Sequence, residues 1–380
     1  MANILLHEGL NGISYSTVFS VLDGDVSFTE ISGTTLAGYA GQAYFSFGGS
    51  FSIVAGGLSG GTIRSFYIQY SATPIITVTG LSLDVIEVAW ATGPEIERMM
   101  LADADVLTSH LAQGDIFNMY GGDDWLRLGN GNDVIDGGAG VDTFSLDAGF
   151  ASARFALQSG GRLNVTTVQG RDTVANIEIL EFNDTSVGLA IGGTGADSLT
   201  GDKVAGILRD LMFGDRGNDT LRGGQGDDRL FGQSGGDTLF GQLNKDLLAG
   251  GGGADSLDGG FGNDRLRGGG GNDLLVGGRH DDSLSGDAGR DRLTGGADDD
   301  SLTGGRGRDV FVFGRRDGRD TITDFELGLD RIEITAGANG LGDLTFTRVN
   351  RNTLITFGET EIFMQDTLPA QLKDAAHFLF

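Results

Sequence analysis

A chain of 380 residues, 39% hydrophobic and 21% charged, is long enough for two or three domains and lies in the range of soluble globular proteins, which excludes a chain disordered throughout. Glycine is the outlier: 68 glycines stand against 3 prolines, which excludes collagen and Pro-rich linkers and asks whether the glycines are periodic. The net charge of -27, from 42 Asp and 11 Glu against 26 basic residues, repels nucleic acid and anionic membrane surfaces and opposes compaction unless something cationic neutralises it.

There is no cysteine, so neither disulfides nor thiolate zinc sites are available. The four histidines are spread from His7 to His377, against a transition-metal cluster. No apolar run approaches the roughly 18 residues of a membrane span. The first basic residue is Arg64 and no apolar run opens the chain, so an N-terminal secretory signal of the usual kind is not expected.

Residues 1–92 hold one basic residue, many Ser, Thr and Gly, and runs such as QAYFSF, TIRSFYIQYS and PIITVTG. They predict an N-terminal β-sandwich or jelly roll within a domain 1–112. Pro94, early acidic residues and apolar residues at Ile96, Met99, Met100, Leu107 and Leu111 predict a capping helix over about 94–111. Trp90 and Trp125 read as core residues near the junction of helix and roll.

A short array follows in a segment 113–191. The units MYGGDDWLR, LGNGNDVID and GGAGVDTFS place Asp124, Asp133 and Asp142 at the sixth position, and the weaker HLAQGDIFN supplies Asp115. One further unit, GGTGADSLT, carries Asp197. The 13 residues GDKVAGILRDLMF then predict a bulge or short helix around which the repeat continues.

From Gly214 to Val312 eleven nine-residue units run without a gap. The first position is Gly214, Gly223, Gly232, Gly241, Gly250, Gly259, Gly268, Gly277, Gly286, Gly295 and Gly304. The sixth is Asp219, Asp228, Asp237, Asp246, Asp255, Asp264, Asp273, Asp282, Asp291, Asp300 and Asp309. The eighth is Leu in ten units and Phe311 in the last. Six Gly-rich residues closing on Asp make a tight turn with positive φ angles, aiming carbonyl oxygens and a carboxylate at one spot. Hard oxygen donors of that kind select calcium. The last three residues make a short strand that buries the Leu. Two units form one coil, and coils stacked at about 4.8 Å build two parallel sheets around an aliphatic core, so eleven units give a rod ~26 Å long. At the fourth position Asn244, His280 and Asp298 replace Gly, the residue types most enriched at positive φ. At the second, Asp215, Gln233, Gln242 and Asp287 suggest either a less demanding backbone or weaker sites.

The units match G-G-x-G-x-D-x-U-x and resemble the calcium-binding nonapeptides of the RTX (repeats-in-toxin) proteins, which form a parallel β-roll. Residues 192–380, comprising a long roll 192–312 and a C-terminal region 313–380, also resemble the C-terminal domain of the serralysin metalloproteases. After each array the chain repeats similar text, GRDTVANIEILEFND and GRDTITDFELGLDRIEI, which predicts strand pairs covering the open end of a roll. The terminal LKDAAHFLF resembles the uncleaved signal of type I secretion substrates, and Phe378, Leu379 and Phe380 also suit packing on the last sheet.

Protease chemistry is not carried over. It needs H-E-x-x-H, and only His7-Glu8 occurs. The string Gly57 to Gly61 matches G-x-S-x-G around Ser59, yet its flanks read as strands, so a glycine hairpin is the better reading. The outward positions of the long array show neither a Thr ladder nor an aromatic row.

The expectation is a secreted, calcium-binding all-β protein, exported by a type I system and folding on calcium outside the cell. The Asp at position six of each unit and, in the long array, the Gly at position one of every unit but that of Gly241 are the expected metal residues. If each ion is shared by turns two units apart, as the resemblance implies, eleven units hold about nine ions. A non-enzymatic surface, matrix or adhesion role fits, with a cell-surface, glycan or self-assembly partner. The alternative is a hydrolase or carbohydrate-active enzyme with its site in residues 1–112.

Overall fold

The computed structural model describes residues 19–21, 24–32, 35–40, 43–54, 57–70, 73–79, 106–109, 116–119, 121–372 and 375–380. The chain divides into two compact units, Met1–Ser186 and Val187–Phe380.

In the first unit, strands Phe19–Val21, Gly24–Ser32, Thr35–Ala40, Ala43–Val54, Gly57–Tyr70 and Thr73–Thr79 pair in order as an antiparallel meander. Two residues separate each strand from the next, a spacing that forces hairpin pairing with the immediate neighbour. Among the described residues these strands pair consecutively as antiparallel β-structure. Ser59 stands in a strand that pairs with its neighbour from Val54 and Gly57 onward, as a hairpin requires.

The C-terminal end of the expected helix is corrected. Val106–Ser109 is a strand, antiparallel to Thr73–Thr79 and parallel to Trp125–Arg127. Its β-branched Val106 and Thr108 favour extended backbone, and strand pairing on both sides removes an open edge that a helix would have left. Residues 94–105, Trp90 and Asp115 lie outside the described residues.

The short array coils as expected. One face carries Trp125–Arg127, Thr143–Ser145 and Ile179–Glu181 in parallel. The other carries Ile116–Asn118, Val134–Asp136 and Arg171–Ala175, extended by the antiparallel strands Arg162–Thr166 and Arg154–Gln158. Phe117, Leu126, Ile135, Phe144, Val174 and Leu180 fill its core. Trp125 is only half-buried and donates its indole N–H to Glu181 Oε2 at 2.9 Å, so it faces outward rather than into the core.

In the second unit the eighth-position residues form two rows, one along each sheet. Leu221, Leu239, Leu257, Leu275, Leu293, Phe311, Ile332 and Phe378 are register partners in turn on one sheet. Met212, Leu230, Leu248, Leu266, Leu284, Leu302, Ile322 and Met364 are partners on the other. Apart from Phe378, all are at most 2% exposed. Burying a Leu contributes roughly 2 kcal/mol, and only stacking buries it.

Most strands are longer than the expected three residues. Thr220–Gln225, for example, continues through the first three positions of the next unit, and its second inward residue is the position-one glycine. The 13-residue interruption is a loop followed by the strand Asp210–Phe213, which pairs with Ser186–Ile191 and Arg229–Ser234. The roll thus continues around a bulge and not a helix. Toward the C-terminus, Thr345–Val349, Asn352–Phe357 and Thr360–Met364 form an antiparallel meander whose last strand pairs with Arg319–Ile322. Phe378–Leu379 joins the other sheet beside Arg331–Ile334, and Phe380 is exposed.

Candidate metal centre

Each turn of the long array is held by two left-handed residues, at its second and fourth positions. At the fourth position Asn244, His280 and Asp298 have φ of 77°, 76° and 86°, as their chemistry predicts. The second position is corrected. Asp215, Gln233, Gln242 and Asp287 have φ of 73°, 79°, 81° and 70°, so this backbone is as demanding as the fourth and the side chains are carried at a cost. A β-carbon added to Gly253 would collide with the Gly235 carbonyl oxygen, because turns 18 residues apart stack in direct contact.

The position-six carboxylates form two ladders, one along each edge. Asp219 N–H donates to Asp237 Oδ1, Asp237 to Asp255, and Asp255 to Asp273, at 2.8 to 2.9 Å. The series runs on through Asp291 to Asp309. On the other edge Asp228, Asp246, Asp264, Asp282 and Asp300 are joined in the same way. In the short roll Asp124 N–H donates to Asp142 Oδ1 at 2.9 Å.

The second oxygen carries the chemistry. In Asp142, and in every position-six Asp from Asp219 to Asp309, Oδ2 is buried and accepts no hydrogen bond. A buried anionic oxygen without a partner is costly unless a cation meets it. The position-one glycine leaves the room: a β-carbon built on Gly214 falls 2.5 Å from Asp219 Oδ2 and 2.7 Å from the Gly232 carbonyl oxygen. This buried glycine is what the three-residue strand reading missed.

Burial pushes these carboxyls up, against the hydrogen bond each accepts from a backbone N–H, with nearby carboxylates adding to the rise. Asp237, Asp255 and Asp264 reach about 6, Asp291 and Asp300 about 7, and Asp228, Asp246 and Asp282 about 8. Among the described residues no three His, Cys, Asp or Glu side chains gather around one point, so backbone oxygens must complete any coordination shell. One hard carboxylate oxygen per turn beside carbonyl oxygens, with no sulfur or imidazole, suits calcium.

The ladders extend past the motif. Asp210, in the bulge, donates its N–H to Asp228 Oδ1. The two G-R-D segments are roll turns and not covering strand pairs: Asp133 N–H donates to Asp172 Oδ1, and Asp300 N–H to Asp320 Oδ1. Glu178 and Asp330 accept from Asp142 and Asp309. The similarity of the two G-R-D texts was the available signal. Asp197 stands apart, since its Oδ2 accepts the Gly193 N–H at 2.7 Å.

A sequence model for the RTX calcium-binding nonapeptide repeat matches in four copies, over residues 120–150, 204–239, 240–275 and 276–311. No curated protein matches the chain. Among solved structures the chain is similar to the extracellular lipase LipA from Serratia marcescens, at 17% identity and TM-score 0.22, covering 77% of this chain and 40% of the lipase. It is similar also to the AlgE6R3 subunit of the Azotobacter vinelandii mannuronan C5-epimerase, at 26% identity and TM-score 0.25, covering 37% of this chain and 80% of that subunit. The four matched segments are thus RTX calcium-binding nonapeptide repeats, and the structure carries them on parallel β-rolls with Asp ladders.

Proposed function

We propose that the chain is a secreted protein whose rolls fold on binding calcium outside the cell, and that the position-six Asp and position-one Gly residues form the sites. The row of buried Oδ2 atoms without partners carries this reading. At low calcium the carboxylates repel one another along each edge and one Leu per unit does not compensate, so the chain stays loose enough to be exported by a type I system. At extracellular calcium, with dissociation constants of roughly 0.1 to 1 mM for modules of this kind, each ion closes a turn and neutralises charge, so that binding is folding. With each ion shared by two turns of one edge, the long array holds about nine ions.

The rolls serve as a calcium-set scaffold, and a surface, matrix or adhesion role falls to the N-terminal residues. The test is a calcium titration of the purified chain followed by far-UV circular dichroism and bound calcium, with magnesium as control. The expected result is a cooperative rise in strand signal near millimolar calcium with about nine or more ions bound. A chain equally folded in chelator and indifferent to calcium would overturn the reading.

A further inference from the structure

We propose that the turn 315–320, outside the nonapeptide array, is a further calcium site that holds an ion between itself and the turn ending at Asp300; the inference rests on the calcium reading of the repeats. Its sequence, R-R-D-G-R-D, lacks the position-one glycine and the eighteen-residue spacing. Its backbone nevertheless repeats the turn. Arg316 and Gly318 have φ of 63° and 102°, occupying the second and fourth positions, and Asp320 takes the sixth. Ile322, 0% exposed, takes the eighth and is the register partner of Leu302. A β-carbon on Gly318 would collide with the Asp298 carbonyl oxygen, the same close stacking seen inside the array.

The ladder step from Asp300 to Asp320 is 20 residues because Phe313 and Gly314 are inserted. Phe313 is 1% exposed and fills core space, which displaces the turn along the chain without displacing it from the edge.

The second oxygen decides where the sites end. Asp320 is 0% exposed and its Oδ2 has no hydrogen-bond partner. At three other carboxylates joined to the ends of the long array that oxygen is satisfied: Asp197 accepts from Gly193, Asp210 from Asp202 and Asp330 from Glu326, at 2.7, 2.9 and 2.7 Å. None of the three arginines of the turn donates to Asp320 Oδ2, and Arg316 and Arg319 face Glu359 and Glu361 at 2.9 and 3.7 Å. An unpartnered buried carboxylate oxygen, on a turn stacked on its neighbour as in the array, is the chemistry of the array itself, so a divalent hard cation is the fitting ligand.

The test counts calcium on the full chain for Asp320→Asn, which keeps the Oδ1 acceptor and removes the charge. The comparators are Asp264→Asn inside the array and Asp324→Asn, whose two oxygens already accept the Gly304 and Gly305 N–H groups. The expected result is about one ion fewer for Asp320→Asn and Asp264→Asn and an unchanged count for Asp324→Asn. Loss in Asp264→Asn alone, or equal loss in Asp324→Asn, overturns the site and leaves the repeat reading standing. No loss in any variant overturns the repeat reading itself. Anomalous diffraction from calcium-loaded wild-type crystals needs no variant: a peak about 2.3 to 2.6 Å from Asp320 Oδ2, beside those in the array, is expected. Peaks in the array with none at Asp320 overturn the proposal.

Discussion

At the scale of one residue, the two oxygens of each ladder Asp do different work. Oδ1 accepts a backbone N–H from the preceding coil, as Asp255 does from Asp237, whereas Oδ2 of Asp255 is left for a cation. Asp255→Ala removes both, so the expected outcome is about one ion fewer by equilibrium dialysis and faster hydrogen exchange around Asp237 and Asp273. An unchanged count would deny Asp255 its role. Gln242 presents the opposite case, a side chain held at φ 81°, where most residues pay steric strain and Gly does not. Gln242→Gly is expected to stabilise the calcium-loaded roll by about 0.5 to 1 kcal/mol in denaturant titration. An equal loss would mean that the Gln side chain makes a contact worth more than its strain.

At the scale of the element, the ladder is a row of acids raised together. Their folded values of about 6 to 8 exceed the ordinary 3.8. For acids raised in this way the calcium-free roll has its full stability below about pH 4 and loses it as pH rises through 6 to 8. In chelator, strand signal is therefore expected to fall from pH 4 to pH 8. Calcium is expected to restore it at pH 8 with an affinity that weakens on acidification, because the ligands must be deprotonated. A chelated chain that gains strand signal on going from pH 4 to 8 would contradict this.

The same element shows how much was legible in the sequence. The eleven units were plain, since position six recurs at a fixed interval and the three substitutes at position four belong to the residues that tolerate a left-handed backbone. Asp210, Asp172 and Asp320 were not read as ladder members. Their partners lie 18, 39 and 20 residues away; in the last two cases inserted chain breaks the period, and Asp210 keeps the interval inside a degenerate unit that retains only Gly206, at position two, of the glycine pattern. What places these residues is lateral strand pairing, which tolerates inserted loops and leaves no local signature. The C-terminal end of the expected helix, over Val106–Ser109, gave way for a related reason. Val106–Ser109 is claimed by two neighbouring strands, and tertiary pairing overrides an apolar spacing that suits either structure.

At the scale of the whole molecule, a net charge of -27 is what folding must overcome. About nine ions would offset about 18 of those charges, and the site at Asp320 about two more. Because each coil touches only its neighbours, its stability is a sum of unit and interface terms. Binding is then expected to spread along the roll rather than to fill isolated sites.

The eighteen-residue coil also makes the molecule divisible in whole steps. Deleting residues 250–267 joins Ala249 to Gly268 and makes Leu275 the register partner of Leu239, a pairing identical in kind to the Leu239–Leu257 pair it replaces. That shortened chain is expected to fold on calcium with about two fewer ions. Deleting only 250–258 removes half a coil and sends every later strand to the opposite sheet, so the strands Arg331–Ile334 and Thr360–Met364 arrive on exchanged faces. The expected result is a roll with a frayed C-terminal end, seen as rapid hydrogen exchange beyond Phe313. Length in this fold is thus counted in whole coils, and a gene encoding it can grow or shrink by 54 nucleotides without a new core being invented.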